Sequence, residues 1–143
     1  MIVSTKGRYA LRVMIDMAEH NTGEFIRLKD MAERQDISRK YLESIMTGLS
    51  KHELVESAMG KDGGYRLNRQ PDEYKVGDIL RVTEGDLSPV ACIAKDEKKC
   101  EMTNLCNAYP FWQGLATQIN EYIDSYTLQD FLDNKDEINS DKI

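Results

Sequence analysis

Three glycines in five residues, in Met59-Gly60-Lys61-Asp62-Gly63-Gly64, follow directly on the chain's most regular amphipathic segment. Glycine enters positive φ without the steric cost other residues meet, so this stretch marks a sharp reversal. Leu54-Val55-Glu56-Ser57 before it and Tyr65-Arg66-Leu67 after it are short extended segments. Together they predict a tight hairpin with Lys61 near the tip and Arg66 and Arg69 on the return. Upstream, residues 39–50 read as a helix: Tyr41, Leu42, Ile45, Met46 and Leu49 share one face, and Ser38, Arg39, Lys40, Glu43, Ser44 and Thr47 share the other. Asp36-Ile37-Ser38 supplies its turn and cap. Leu28, Met31 and Ala32 mark a short helix before that turn. Tyr9, Leu11, Val13, Met14, Met17 and Ala18 mark a first helix, capped by Ser4 or Thr5 and stopped after His20 by Asn21-Thr22-Gly23.

Helix, turn, helix and basic hairpin in that order describe a winged helix-turn-helix: mainly α, with a small β-hairpin wing. An amphipathic helix alone more often has just a solvated polar face. A basic hairpin immediately after a helix pair shifts the reading toward DNA, with the polar face of the third helix in the major groove and the wing along the phosphates. The formal net charge of −6 runs against this, but the acid is unevenly placed. Residues 1–70 carry 12 Lys and Arg against 10 Asp and Glu, whereas residues 71–143 carry 7 against 15. A locally basic head can still steer onto phosphate. No apolar run reaches the roughly 18 residues of a membrane span, and the first residues lack the pattern of an export signal. The expectation is a cytoplasmic protein that spans no membrane.

In the second half, Val76, Ile79, Leu80 and Val82 predict a short helix returning to the core. Farther on, Phe111, Trp112, Leu115, Ile119, Tyr122, Ile123 and Tyr126 recur at spacings of mostly three and four, the stripe of a long helix whose first turn accommodates Pro110. So small a head cannot easily cover so long a stripe. Pairing it with a second copy, through Trp112, Leu115, Ile119 and Tyr122, would place two recognition helices about 34 Å apart, one DNA turn. The tail from Asp133, with Asp136, Glu137 and Asp141, reads as a solvated acidic end.

Between those helices lie all three cysteines, Cys92, Cys100 and Cys106, spaced C-x7-C-x5-C among Asp96, Glu97, Lys98, Lys99 and Asn104. An odd number of thiols in a reducing compartment argues against a disulfide framework. Zinc knuckles have closer pairs and a fourth Cys or His nearby, and this loop has neither. Clustering in polar surroundings favours a ligand role, and iron with sulfide suits three thiolates. A thiol switch is the alternative, with Lys95, Lys98 and Lys99 lowering a cysteine pKa. An enzyme is the least supported class: Cys with His52 makes a conceivable pair, but nothing indicates a substrate pocket.

The stretches STKGRYALRVMIDMAEH, ISRKYLESIMTGLSKHELVES, GKDGGYRLNR and VGDILRVTEGD resemble, in order and spacing, the winged-helix bacterial regulators that include IscR, NsrR and CymR, over residues 1–132. The resemblance implies a homodimer on pseudo-palindromic, double-stranded promoter DNA. It implies a winged-helix head in residues 1–85, a cluster loop in 86–107, a dimerisation helix region in 108–132 and a tail in 133–143. The reading positions it implies are Ser38, Arg39, Lys40, Tyr41 and Glu43, with a wing at Gly60, Lys61, Gly63, Gly64 and Tyr65. Cys92, Cys100 and Cys106 match the cysteines of its iron-sulfur members, two-iron and four-iron clusters both being open. Two departures stand out: the first cysteine gap is longer than the family's usual five, and Asn107-Ala108-Tyr109 follows Cys106 where IscR-like members have a histidine. Some relatives use an acid of the first helix instead, where this chain has Arg8 and Arg12. Glu101, Asn107, a group of the second copy, a small thiol or water remain as fourth ligands. A CymR-like regulator of cysteine metabolism, controlled by a protein partner, is the competing reading.

Overall fold

The computed structural model describes residues 3–94 and 101–134. Cys100, the lysines at 95, 98 and 99 and the tail from residue 135 lie outside the described residues. The elements are α1 (Thr5–Glu19), α2 (Leu28–Gln35), α3 (Arg39–Lys51), β1 (Val55–Ala58), β2 (Gly64–Leu67), a 3-10 turn (Pro71–Glu73), α4 (Val76–Glu84), a second 3-10 turn (Ala91–Ile93), α5 (Tyr109–Ser125) and α6 (Leu128–Asp133).

Local chemistry sets the helix starts. The Ser4 hydroxyl accepts from the Gly7 N–H at 3.2 Å and caps α1, while the Ser4 N–H donates to Glu84 at the far end of α4 at 3.0 Å. A side chain at Gly7 would displace that Glu84 carboxylate. Ser38 caps α3 by accepting from the Tyr41 N–H at 3.2 Å. Ala10, Val13, Met14 and Met17 of α1 enclose a shared core with Met31, Leu42, Ile45, Met46, Leu49, Tyr74 and Ile79. The Tyr74 hydroxyl donates to the Leu54 carbonyl at 2.7 Å and accepts from the Asn68 N–H at 3.0 Å, so its polar end is satisfied inside.

β1 and β2 pair antiparallel, with Val55 opposite Leu67 and Ala58 opposite Gly64. Ile26 adds a short third edge: its N–H donates to the Tyr65 carbonyl at 2.7 Å and its carbonyl accepts from the Tyr65 N–H at 2.9 Å. The wing is thereby tied to the head on both sides.

Residues 108–132 form two helices. α5 ends at Ser125, and the extended chain after it pairs with residues 74–76: the Val76 N–H donates to the Tyr126 carbonyl at 2.9 Å and the Leu128 N–H to the Tyr74 carbonyl at 3.1 Å. Thr127 and Asp130 form a capping box that starts α6. Leu128 is fully buried in the head core, and Leu132 packs against it. The chain therefore leaves the head along α5 and comes back to it.

Candidate nucleic-acid interface and cysteine loop

On α3 the division expected from the sequence is realised. Leu42, Ile45, Met46 and Leu49 are buried, and Ser38, Arg39, Lys40, Glu43, Ser44 and Thr47 are exposed. Tyr41 is half-buried, packed edge-on against Tyr9 with ring centroids 5.9 Å apart, so it is shared between core and surface. The start of α3 is held in place from behind. Arg12 of α1 donates to the Gln35 carbonyl at 2.6 Å, and Arg34 of α2 grips the buried Asp16 of α1 with hydrogen bonds of 2.7 and 2.9 Å. Gln35 adds a further bond to Asp16 at 3.0 Å. Burial pushes the Asp16 carboxyl upward, but the bonds from Arg34 and Gln35 and the charges of Arg34 and His20 outweigh it, leaving it below its ordinary value. The sequence signal was an aspartate on the apolar face of α1, between Val13, Met14 and Met17.

The hairpin presents fewer cations than its sequence suggests. Arg66 is paired with Glu56 at 2.7 Å and stacked 4.3 Å over the Phe25 ring. Arg69 donates to the Glu53 carbonyl at 3.2 Å and lies 5.2 Å over Tyr74. Lys61 is exposed at the tip. Gly63 and Gly64 shape the wing: side chains there would overlap the carbonyls of Ala58 and Ile26, and Gly64 has φ 147°. Tyr65 is half-buried beside the core.

Cys92 lies half-buried in the 3-10 turn Ala91–Ile93, and Cys106 is exposed just before α5. Both are free thiols. The Cys106 carbonyl accepts from the Tyr109 N–H at 3.2 Å, joining the loop to the helix start. Soft thiolates on one loop fit iron and sulfide in donor type. Glu101 and Asn107 are exposed. Arg8 donates to the Thr5 hydroxyl at 3.1 Å, on the helix where some relatives supply an acid. Both histidines face the carbonyls that end their own helices, His20 that of Asp16 and His52 that of Gly48, each at 2.9 Å.

Beside Ile93 of the cysteine turn, a cleft of about 880 Å³ separates α4 from α5 and is lined by Arg81, Leu87, Asn120 and Asp124. Across it Arg81 makes two hydrogen bonds of 2.9 Å to Asp124 and one of 2.8 Å to Asn120. The Arg81 hydrogen bond outweighs partial burial and holds the Asp124 carboxyl below its ordinary range. A side chain at Gly77 would displace the Asp124 carboxylate and the Arg81 guanidinium from this pairing. Sequence reasoning missed this latch, because its partners are 43 residues apart. Of the expected pairing residues, Trp112, Leu115 and Ile119 are half-buried and Tyr122 is exposed.

Residues 3–134 match the family model described as "Rrf2: Iron-dependent Transcriptional regulator". The chain is 34% identical over 136 residues to the HTH-type transcriptional regulator IscR of Sodalis glossinidius, covering 95% of this chain and 81% of that one. It is 32% identical over 130 residues to the HTH-type transcriptional regulator NsrR of Bacillus licheniformis, covering 91% of each. Among solved structures, T. potens IscR superposes with a TM-score of 0.74 at 38% identity, covering 96% of this chain and 90% of that one. CymR, the global cysteine regulator of B. subtilis, also gives 0.74, at 36% identity, covering 92% and 95%. An exposed polar helix face, a braced wing and this agreement along nearly the whole length lead to one conclusion: the chain belongs to the Rrf2 family of transcriptional regulators.

Proposed function

We propose that this chain is a homodimeric, cytoplasmic regulator that binds double-stranded promoter DNA and senses an iron-sulfur cluster held by Cys92, Cys100 and Cys106. The observation that carries the DNA half is α3 itself, which buries Leu42, Ile45, Met46 and Leu49 and leaves Ser38, Arg39, Lys40 and Glu43 exposed, as Lys61 is at the tip of the wing. Ser38, Arg39, Lys40 and Glu43 read the groove, Lys61 meets phosphate, and Tyr41, Gly63, Gly64 and Tyr65 fix the shape of the reading surface and lend it backbone. The chain performs no catalytic turnover.

A cluster bound there would supply an oxygen- and nitric-oxide-sensitive centre. What this chain contributes is a mechanical path. Cys92 sits in the turn beside the cleft, and the Arg81–Asp124 latch joins that cleft to α4 of the head. Ordering or releasing the loop shifts α5 against α4 and so changes the relative placement of two heads in a dimer.

Iron, acid-labile sulfide and DNA binding, measured on protein purified without oxygen and again after air exposure, test the reading. Cluster stoichiometry with an air-sensitive change in DNA affinity is expected, and Cys92→Ala should lose both. Unchanged metal content and DNA binding in Cys92→Ala would remove the sensing half. Glu43→Ala is expected to alter sequence preference more than total affinity, since a carboxylate in the major groove repels phosphate and gains by accepting from cytosine N4. Equal weakening on all duplexes would contradict that. The likeness to CymR favours one second reading, a partner-controlled regulator of cysteine metabolism; the clustered cysteines support another, a metal-free thiol switch. Colourless protein that binds DNA equally well before and after air exposure points to the partner-controlled form. Colourless protein whose DNA binding responds reversibly to thiol oxidation points to the switch.

A further inference from the structure

Met59 is 98% exposed, at the end of β1, where the wing turns. Its position is fixed from below. The Gly63 N–H donates to the Gly60 carbonyl at 3.1 Å and closes the tip. Arg66 ties β2 to Glu56 of β1 at 2.7 Å, and Ile26 bonds Tyr65 from the head side. Gly60 takes φ 101°, a conformation that turns the chain immediately after Met59. A thioether without protein neighbours is thus held out on a braced hairpin whose other outward groups, Lys61 and Asp62, are charged.

An uncharged side chain gains nothing from phosphate. The thymine methyls lie in the major groove, which the DNA-binding reading gives to α3; the apolar surface left to a hairpin tip beside it is the sugar edge along the minor groove and the face of an opened base step, where apolar side chains including methionine act as wedges. Resting on the reading of this hairpin as the DNA-binding wing, we infer that Met59 enters the minor groove flanking the base pairs read by α3. There it acts as a wedge that makes affinity depend on the flanking step. Pyrimidine–purine steps open most easily and are the favoured ones. Lys61 sits on the neighbouring phosphate.

The test uses full-length wild-type protein, Met59→Ala, Met59→Leu and Lys61→Ala. The probe is a duplex selected by the wild type from a random pool and resynthesised with TA or GC at the flanking step. Met59→Ala should weaken binding to the TA duplex on the order of tenfold, the equivalent of burying part of one apolar side chain. Its salt slope should stay at the wild-type value, its TA-over-GC preference should vanish, and Met59→Leu should keep both affinity and preference. Lys61→Ala should lower the salt slope by about one with little change in preference. Equal binding by Met59→Ala and wild type, or a loss accompanied by a changed salt slope, overturns the wedge. A wild type that selects no duplex at all overturns the wing reading beneath it, a visibly different failure.

Discussion

The head and α5 are written in the same periodic code and end in opposite states. α1 buries seven of its 15 residues, whereas α5, with 17, buries none, and Phe111 and Tyr122 on it are each 64% exposed. An apolar stripe is covered only when another surface is supplied. In the head, α1, α3, α4 and α6 supply one another. α5 meets α4 and the cysteine turn, and among the described residues its stripe is covered only in part: Ile123 and Tyr126 pack against Val76, Leu80 and Leu87, Trp112, Leu115 and Ile119 are half-buried, and Phe111 and Tyr122 are exposed. The contrast supports the proposed pairing with a second copy.

Several measurements sharpen or break that contrast. The largest effect is expected in the head: Leu49→Ala should destabilise by about 2–5 kcal/mol, the range for emptying a packed leucine site, read by urea unfolding. Ile119→Ser on α5 should act mainly through association. The wild-type unfolding midpoint should rise with protein concentration and that of the variant should not. A comparable, concentration-independent loss from both would erase the distinction between the two regions.

Next comes the ion pair behind the recognition helix. Asp16→Asn should cost about 1–3 kcal/mol at neutral pH by leaving Arg34 with a weaker partner. Because the folded Asp16 carboxyl titrates below its ordinary 3.8, its contribution is fully present above that pH and disappears as pH falls through the lower folded value. The gap between wild type and Asp16→Asn should therefore close below about pH 4, in unfolding curves recorded from pH 6 downward. A constant gap would assign the loss to packing.

The smallest stability effect belongs to the latch between the two regions. Arg81→Met should cost about 1 kcal/mol, since both partners are about a third exposed and water screens them. Its signature lies in function: DNA binding should remain while its response to air is blunted. A full air response in Arg81→Met would show that the loop reaches the head by another route.

Much of the proposed reading surface was legible in the sequence. Asp36 and Ser38 both offered a cap, which Ser38 makes, while Leu42, Ile45, Met46 and Leu49 announced their face and Gly60, Gly63 and Gly64 their turn, because each acts on neighbours within a few residues. The hairpin's charge was less legible. Arg66 and Arg69 looked available for phosphate, yet Glu56, Phe25, Glu53 and Tyr74 engage them. Likewise Phe131 and Leu132 lacked the length of repeat that would have separated α6 from the helix before it.

By itself the sequence determined the order of the helices up to α5, a cap for α3 within Asp36–Ser38, the reversal at Gly60–Gly64 and the clustering of three thiols. These follow from steric freedom, hydrogen bonding and periodicity over a single turn or hairpin. The tertiary structure alone decided that Leu128 completes the head core, that Asp16 is held by Arg34, that Arg81 reaches Asp124 and that Met59 is left in water. Each depends on which distant surfaces meet, and the free energy of burial and ion pairing is set by that meeting rather than by the spacing of residues along the chain.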